Sequence, residues 1–218
     1  MEKVIIADPN RIRLADAEKT LVADSLDEVG EEGKDIYISS SLLAMAGERN
    51  NVHVYFELEC YPFFDKVRNL IGQQVKPKGV LRYRRKTKKD INESLLIEDM
   101  AVICSFFGDT EHVFTKRSKQ KHPYHVIITL NFGGGTMAHV EYTVTNKDQI
   151  ELEWSGVGRI LEFDSDEMNP FMSNGSNIEA LSLGLNTKTI LDRSYFVDVE
   201  LLETLDKYCK LIKAGDKK

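Results

Sequence analysis

The sequence predicts an α+β protein: a large, mostly antiparallel C-terminal sheet with helices on one face, preceded by a truncated Rossmann-like α/β segment. Three observations predict it. Strand-sized and helix-sized segments alternate through the first 56 residues, the rhythm of a small parallel sheet with right-handed crossovers. Alternating apolar runs follow between residues 112 and 163, punctuated by glycine turns. Between them, residues 91–107 form an apolar stretch of helical length that stops at Gly108. The expected division is 1–75 for the first lobe and 76–218 for the second.

Taken in order, Lys3 to Asp8 reads as a strand with a carboxylate at its C-terminal end. Leu14, Ala17 and Leu21 at helical spacing predict a helix from Asn10 to Leu21. Ser25-Leu26-Asp27-Glu28 has the capping-box pattern and predicts a helix of one or two turns. Residues 34–38 form a second strand, Ser41 caps a helix over 42–48, and Val52–Phe56 is a third strand. Phe63 to Ile71 is amphipathic and helical, with Pro62 at its start. Val80–Arg84 is a strand, Lys86–Asn92 a polar connection, and Ile91–Phe107 the apolar helix. Strands are expected at 112–117, 125–132, 137–145, 150–154, 158–163 and 194–197, then a helix over 199–213. Gly133, Gly134 and Gly135 lead into a strand and not a helix, so they predict a hairpin turn and not a phosphate loop.

Composition narrows the function. The chain has 218 residues, 42% hydrophobic and 29% charged, with net charge −6 and a pI near 5.5. That acidic balance argues against a nucleic-acid partner. Cys60, Cys104 and Cys209 have no zinc or CxxC spacing and fit a reducing, cytoplasmic compartment. No signal-type h-region or bilayer-length apolar run is present, so no membrane partner is expected. In that setting the sequon at Asn92-Glu93-Ser94 has no meaning.

The segments together resemble the glucose–fructose oxidoreductase and inositol dehydrogenase family. Leu95 to Phe163 carries most of the likeness: the apolar helix ending in Phe106-Phe107-Gly108-Asp109, the strand with Val113, the glycine-linked pair, Ile150-Glu151-Leu152 and Gly158-Arg159-Ile160. Asp8-Pro9-Asn10 resembles the end of the family's second strand, and Ser25–Val29 with Asp35–Ile38 its next helix and strand. The resemblance implies a nicotinamide-dependent dehydrogenase, yet the residues that would serve one fail to match. No G-x-G-x-x-G precedes Asp8. The family's E-K-P motif falls on Glu57, Leu58 and Glu59, and leucine moves no proton. The position of the family's helix histidine falls on Glu98 and that of its aspartate on Ala101. Asp99 is one step from Glu98, about 100° around the helix.

Candidate site residues follow. Asp8 is placed to accept ribose hydroxyls, or more simply to cap its own turn. Glu98 and Asp99 lie in an apolar helix, where an unpaired carboxyl has a raised pKa and suits acid–base work; a salt bridge to the basic segment explains them equally. Lys76, Lys78, Arg82, Arg84, Arg85, Lys86, Lys88 and Lys89 form that segment, with Arg82, Arg84 and Arg85 as candidate anion ligands and pairing to the chain's own carboxylates as the alternative. His112, His122, His125 and His139 lack companions for a metal site, so no metal is expected. Cys104 reads as a buried small hydrophobe, and Ser39-Ser40-Ser41 stands at a strand end without a nucleophile elbow.

The resulting expectation is a catalytically degenerate, oxidoreductase-like protein. It would act as a homodimer through its C-terminal sheet, or bind a protein partner or a small sugar-like ligand. No cofactor is expected, with NAD(P) as the alternative. One rival is a cofactor-independent or partner-assisted enzyme acting on a small sugar or polyol through Glu57, Glu98 or Asp99. The other is an anion-binding adaptor.

Overall fold

Val4, Ile5 and Ile6 are fully buried, and that apolar run forms an inner strand of the first sheet. The computed structural model describes residues 2–14, 20–30, 33–47, 49–72, 77–120, 123–166 and 183–216. Strands β1 (Glu2–Ile6), β2 (Ile12–Arg13), β3 (Thr20–Ala23), β4 (Lys34–Ser39) and β5 (Val52–Tyr55) come first, then helices α1 (Glu57–Cys60) and α2 (Pro62–Gly72). Strand β6 (Gly79–Thr87) leads into α3 (Glu93–Phe107), then β7 (His112–Arg117), β8 (His125–Asn131), β9 (Thr136–Val144), β10 (Gln149–Gly156) and β11 (Arg159–Asp164). The chain closes with β12 (Leu185–Asn186), α4 (Thr187–Arg193), β13 (Tyr195–Phe196) and α5 (Val199–Gly215).

Among the described residues the strands form a five-stranded sheet in the order β13-β5-β4-β1-β3 and a six-stranded sheet in the order β11-β10-β6-β9-β8-β7. In the first, β1, β3, β4 and β5 run parallel, and β13 lies antiparallel on the edge. In the second, neighbours are antiparallel except at β6–β9. Along β6 the pleat turns Leu81, Tyr83 and Arg85 inward and leaves Arg82 and Arg84 exposed. Helix α3 packs on the inner face, and α5 lies against α3 and β7, where Thr115 Oγ1 donates to the Ile212 carbonyl at 3.1 Å. The main apolar core is continuous from Ile5 and Val54 through Leu96 and Met100 to Leu130 and Trp154, so the two sheets share it.

Several expected elements differ. The helix over 10–21 is replaced, in its described part, by a 3-10 turn (Pro9–Arg11) and β2; residues 15–19, with Ala17, lie outside the described residues. Leu14 and Leu21 are exposed, so their spacing does not mark a buried face. β2 instead pairs with β12, a partner distant in sequence. The capping-box segment is a 3-10 turn (Leu26–Glu28) in which Ser25 Oγ accepts from the Asp27 N–H at 3.0 Å. The helix expected over 42–48 is a 3-10 helix, Ser40–Met45, with Ser41 inside it and not capping it; Glu48 is outside the described residues. Lys86 and Thr87 extend β6 instead of joining the connection. The division at residue 75 is also crossed, because β12, α4 and β13 return to the first sheet's side.

The apolar helix stands as expected. Asn92 Oδ1 caps α3 by accepting from the Leu95 N–H at 2.9 Å, and Gly108 ends it at φ +85°. The three glycines at 133–135 turn β8 into β9, all with positive φ. Among the described residues no helix is long and apolar enough to cross a membrane.

Candidate functional site

From β1 the chain goes to β3 on one side and then to β4 on the other, so the order reverses beside β1. The crevice beyond the strand ends at such a reversal is where open α/β sheets bind ligands. A cleft of about 500 Å³ opens there. Asp8, Asn10 and Arg11 (after β1) and Ser39 and Ser41 (after β4) line one side; Glu57, Tyr61, Arg85 and Glu98 form the floor; Lys89, Asn92 and Asp148 line the far side.

The turn after β1 engages its own donors. Asp8 Oδ1 accepts from the Asn10 N–H at 2.9 Å and from Asn10 Nδ2 at 3.0 Å. The Arg11 N–H donates to the Asp8 carbonyl, and the Ile12 N–H to the Pro9 carbonyl. Pro9 has no N–H. From residue 9 to 12, then, every amide donor is absent or taken, and a carboxylate stands among them. A pyrophosphate needs free N–H groups at a helix N-terminus; these residues do not fit one. The resemblance set Asp8 at the family's second strand, beside a ribose. Strand pairing puts it instead at the end of β1, the strand beside which the order reverses, where the phosphate turn of such a fold begins. Asp24, directly after β3, is the acidic residue that ends the neighbouring strand; it is exposed and does not line the cleft.

On the floor three carboxyls meet two guanidiniums. Arg11 donates to both Glu57 oxygens at 3.0 and 3.1 Å, and Arg85 Nη2 donates to Glu57 Oε2 at 2.9 Å. The Tyr61 hydroxyl donates to the same oxygen at 3.1 Å. Arg85 Nη1 reaches Asp99 at 3.0 and 3.2 Å, and the Tyr83 hydroxyl donates to Asp99 at 3.1 Å. Glu98 accepts from Ser40 Oγ and, at 2.5 Å, from the Glu57 N–H. Burial by itself raises the Glu57 carboxyl, but Arg85 and Arg11 override it and bring it down to about 2. Burial, with Glu57 and Asp99 alongside, pushes Glu98 up to about 8. Burial also raises Asp99, against the pull of Arg85. Three carboxyls face two guanidiniums in this cluster, and Glu98, which has no arginine partner, is the carboxyl whose surroundings most favour the protonated form.

Glu57 and Glu98 thus share the cleft floor; Asp99 is behind it, fully buried. Leu58 and Glu59 point away: Leu58 is buried in the core, and Glu59 is held by Arg68 and Tyr195. The three candidate anion ligands do not converge. Arg82 pairs with Glu153 at 2.6 Å, and Arg84 with Glu141 and Glu151 at 3.2 and 3.3 Å, all on the outer sheet face, whereas Arg85 faces inward. His125 and His139 engage Thr143 and Glu141 on that outer face, His112 is exposed, and His122 and Lys76 lie outside the described residues. Cys104 is buried, as its helix position predicts. Arg11, the bond from Ser40 to Glu98 and Arg85's inward role escaped the sequence reading. Alternation along β6 was the one available signal, since it puts Arg85 on the face of Leu81 and Tyr83.

No protein-family model matches the chain, and no curated protein matches it. Solved structures do. GenD2 from gentamicin A biosynthesis, solved in complex with NAD, superposes with TM-score 0.60 at 9% identity, covering 100% of this chain and 94% of that one. A dehydrogenase from Chromobacterium violaceum gives TM-score 0.59 at 10% identity, over 100% and 96%. A myo-inositol dehydrogenase from Corynebacterium glutamicum gives 0.56 at 11%, over 99% and 96%.

The chain has the fold of these dehydrogenases. The likeness noted from sequence is therefore borne out as a likeness of fold: a Rossmann-type sheet followed by a large C-terminal sheet. In this dehydrogenase fold the cleft lies at the sheet's switch point, and here its floor is built from the chain's own ion pairs.

Proposed function

We propose that the chain is a catalytically degenerate member of this dehydrogenase-like group that binds a small polar ligand in its cleft and works as a homodimeric structural or regulatory subunit without NAD(P). The observation that carries the reading is the turn after β1, where Pro9 has no amide N–H and those of Asn10, Arg11 and Ile12 are taken by the Asp8 carboxylate, the Asp8 carbonyl and the Pro9 carbonyl. Leucine in the position of the family's lysine and a paired, buried Glu59 next to it support it further. A cytoplasmic setting belongs to the same reading and accords with three free cysteines. Titration calorimetry with NAD+ and NADPH tests it: no saturable heat is expected, and tight dinucleotide binding or robust hydride transfer would overturn it.

For the dimer, the support lies on the outer face of the six-stranded sheet. There Arg82, Arg84 and Lys86 run as a cationic row between Glu141 on one side and Glu151 and Glu153 on the other. Exposed Phe114, Met137 and Ile160 surround that ladder. A second copy related by a two-fold axis would meet a self-complementary surface. The same pairs leave Arg82 and Arg84 largely neutralised, which weighs against the anion-binding adaptor.

A second reading has one observation in its favour. Glu98 lines the floor of a cleft of ligand size, with its carboxyl pushed up to about 8 by burial and its acidic neighbours, which suits proton transfer to a small sugar or polyol. Under that reading Glu98→Gln abolishes turnover of such a substrate and Asp99→Asn lowers it; unchanged turnover in both variants removes it.

A further inference from the structure

Glu98 ties two walls of the cleft to α3. Its Oε2 accepts from Ser40 in the 3-10 helix after β4, and its Oε1 accepts from the Glu57 N–H at the start of α1. Ser40 sits between Ser39 and Ser41, whose hydroxyls bond one another at 2.7 Å and line the cleft. Glu57 is the floor residue on which Arg11, Arg85 and Tyr61 converge. One carboxyl therefore positions both the serine wall and the arginine-bearing floor.

Burial and the neighbouring carboxyls disfavour the charged form of Glu98 and outweigh the opposing pull of Arg85 and Ser40. Facing it are the carboxyls of Glu57 and Asp99 and the guanidinium of Arg85, with the hydroxyls of Tyr55 and Tyr61 and the Cys60 thiol around it and Arg11 behind Glu57. Both guanidiniums are already committed to Glu57 and Asp99. A charge on Glu98 would add a third buried carboxylate beside two others, with no cation left to pair it.

We propose that Glu98 is a proton-operated latch: protonated, it clamps Ser40 and the Glu57 amide together and holds the cleft in shape; ionised, it is driven toward water and releases both. The consequence for ligand affinity rests on the ligand-cleft reading above; the latch itself does not. The sign follows from linkage. The clamped state binds the proton up to about pH 8, whereas a hydrated Glu98 loses it in the ordinary carboxyl range. Rising pH between those limits favours release, and above the upper one the effect is complete.

Amide hydrogen exchange on the full chain tests this without any ligand, so it stays separate from failure of the ligand reading. After correction for intrinsic exchange, protection of the Glu57 amide is expected to fall by about tenfold per pH unit as one proton is released. The fall should level off above about pH 8. The Val140 amide in β9 reports global opening, and at every pH it stays better protected than the Glu57 amide, which separates release of the latch from global loosening. In Glu98→Gln the Glu57 profile is flat. Ser40→Ala, which removes a donor to the charged form, shifts the levelling-off to higher pH. A flat Glu57 profile in the parent chain, a parallel fall in Glu98→Gln, or an unmoved profile in Ser40→Ala would each overturn the latch.

Discussion

Arg85 is the residue on which the site depends. It is buried, and it spans Glu57 on α1 and Asp99 on α3. Removing one member of a buried ion pair leaves an uncompensated charge and costs about 3–5 kcal/mol. Arg85→Met is expected to lower stability by that amount, read from the urea midpoint, with part of the loss recovered when Asp99→Asn is added. Glu98 makes a different prediction. Its pKa in the folded chain is raised to about 8, above the unfolded carboxyl value. Its contribution to stability is full below the unfolded pKa and is lost as pH rises through the folded one. Glu98→Gln removes that titration, so the variant gains on the parent steadily between those limits. Stability curves at several pH values check this; parallel curves for the two proteins would refute it. A carboxyl in the apolar run Leu95–Phe107 was legible in the sequence as a raised pKa. That Asp99 and not Glu98 takes the arginine was not, because one helical step separates them and only packing decides which faces β6.

Among the elements, β6 stands at the centre of the large sheet, paired with β10 and β9. It begins at Gly79, φ +156°, where an added Cβ would lie 2.4 Å from the Ser155 carbonyl oxygen. Backbone resists such an approach, so Gly79→Ala is expected to cost at least about 1–3 kcal/mol, the usual penalty of a strained conformation. A thermal melt measures it, and an unchanged Tm would contradict the close approach. The long alternating strands, β8 and β9 above all, were readable because one face is buried and the pleat writes that into the sequence at period two. The segment after β1 was not. Its apolar residues fell at helical spacing, yet Leu14 and Leu21 are exposed and Ile12–Arg13 pairs with Leu185–Asn186. A short window contains no trace of a partner so distant.

For the whole molecule, the continuous core makes the two sheets one cooperative unit. Urea unfolding followed by far-UV dichroism and by the fluorescence of Trp154, which is buried in the large sheet, should therefore coincide; separated transitions would show independent lobes. If the outer sheet face is the dimer surface, light scattering gives twice the 24.8 kDa chain mass, and Arg84→Glu, which sets a third carboxylate beside Glu141 and Glu151, returns the monomer. A parent protein that scatters as a monomer would remove the dimer.

The sequence by itself determined the succession of a small parallel sheet, an apolar helix and a large sheet, because burial on one face imposes its period on local residues. It also determined that leucine stands at 58 and glutamate at 98, since those are matters of residue identity. Tertiary structure alone decided that Asp8 follows the strand at the order reversal, that Arg11 and Arg85 converge on Glu57, and that Glu98 is left without an arginine. Each of those depends on groups far apart in the chain meeting at low dielectric, where the balance of charge and hydrogen-bond partners is set by what packs together.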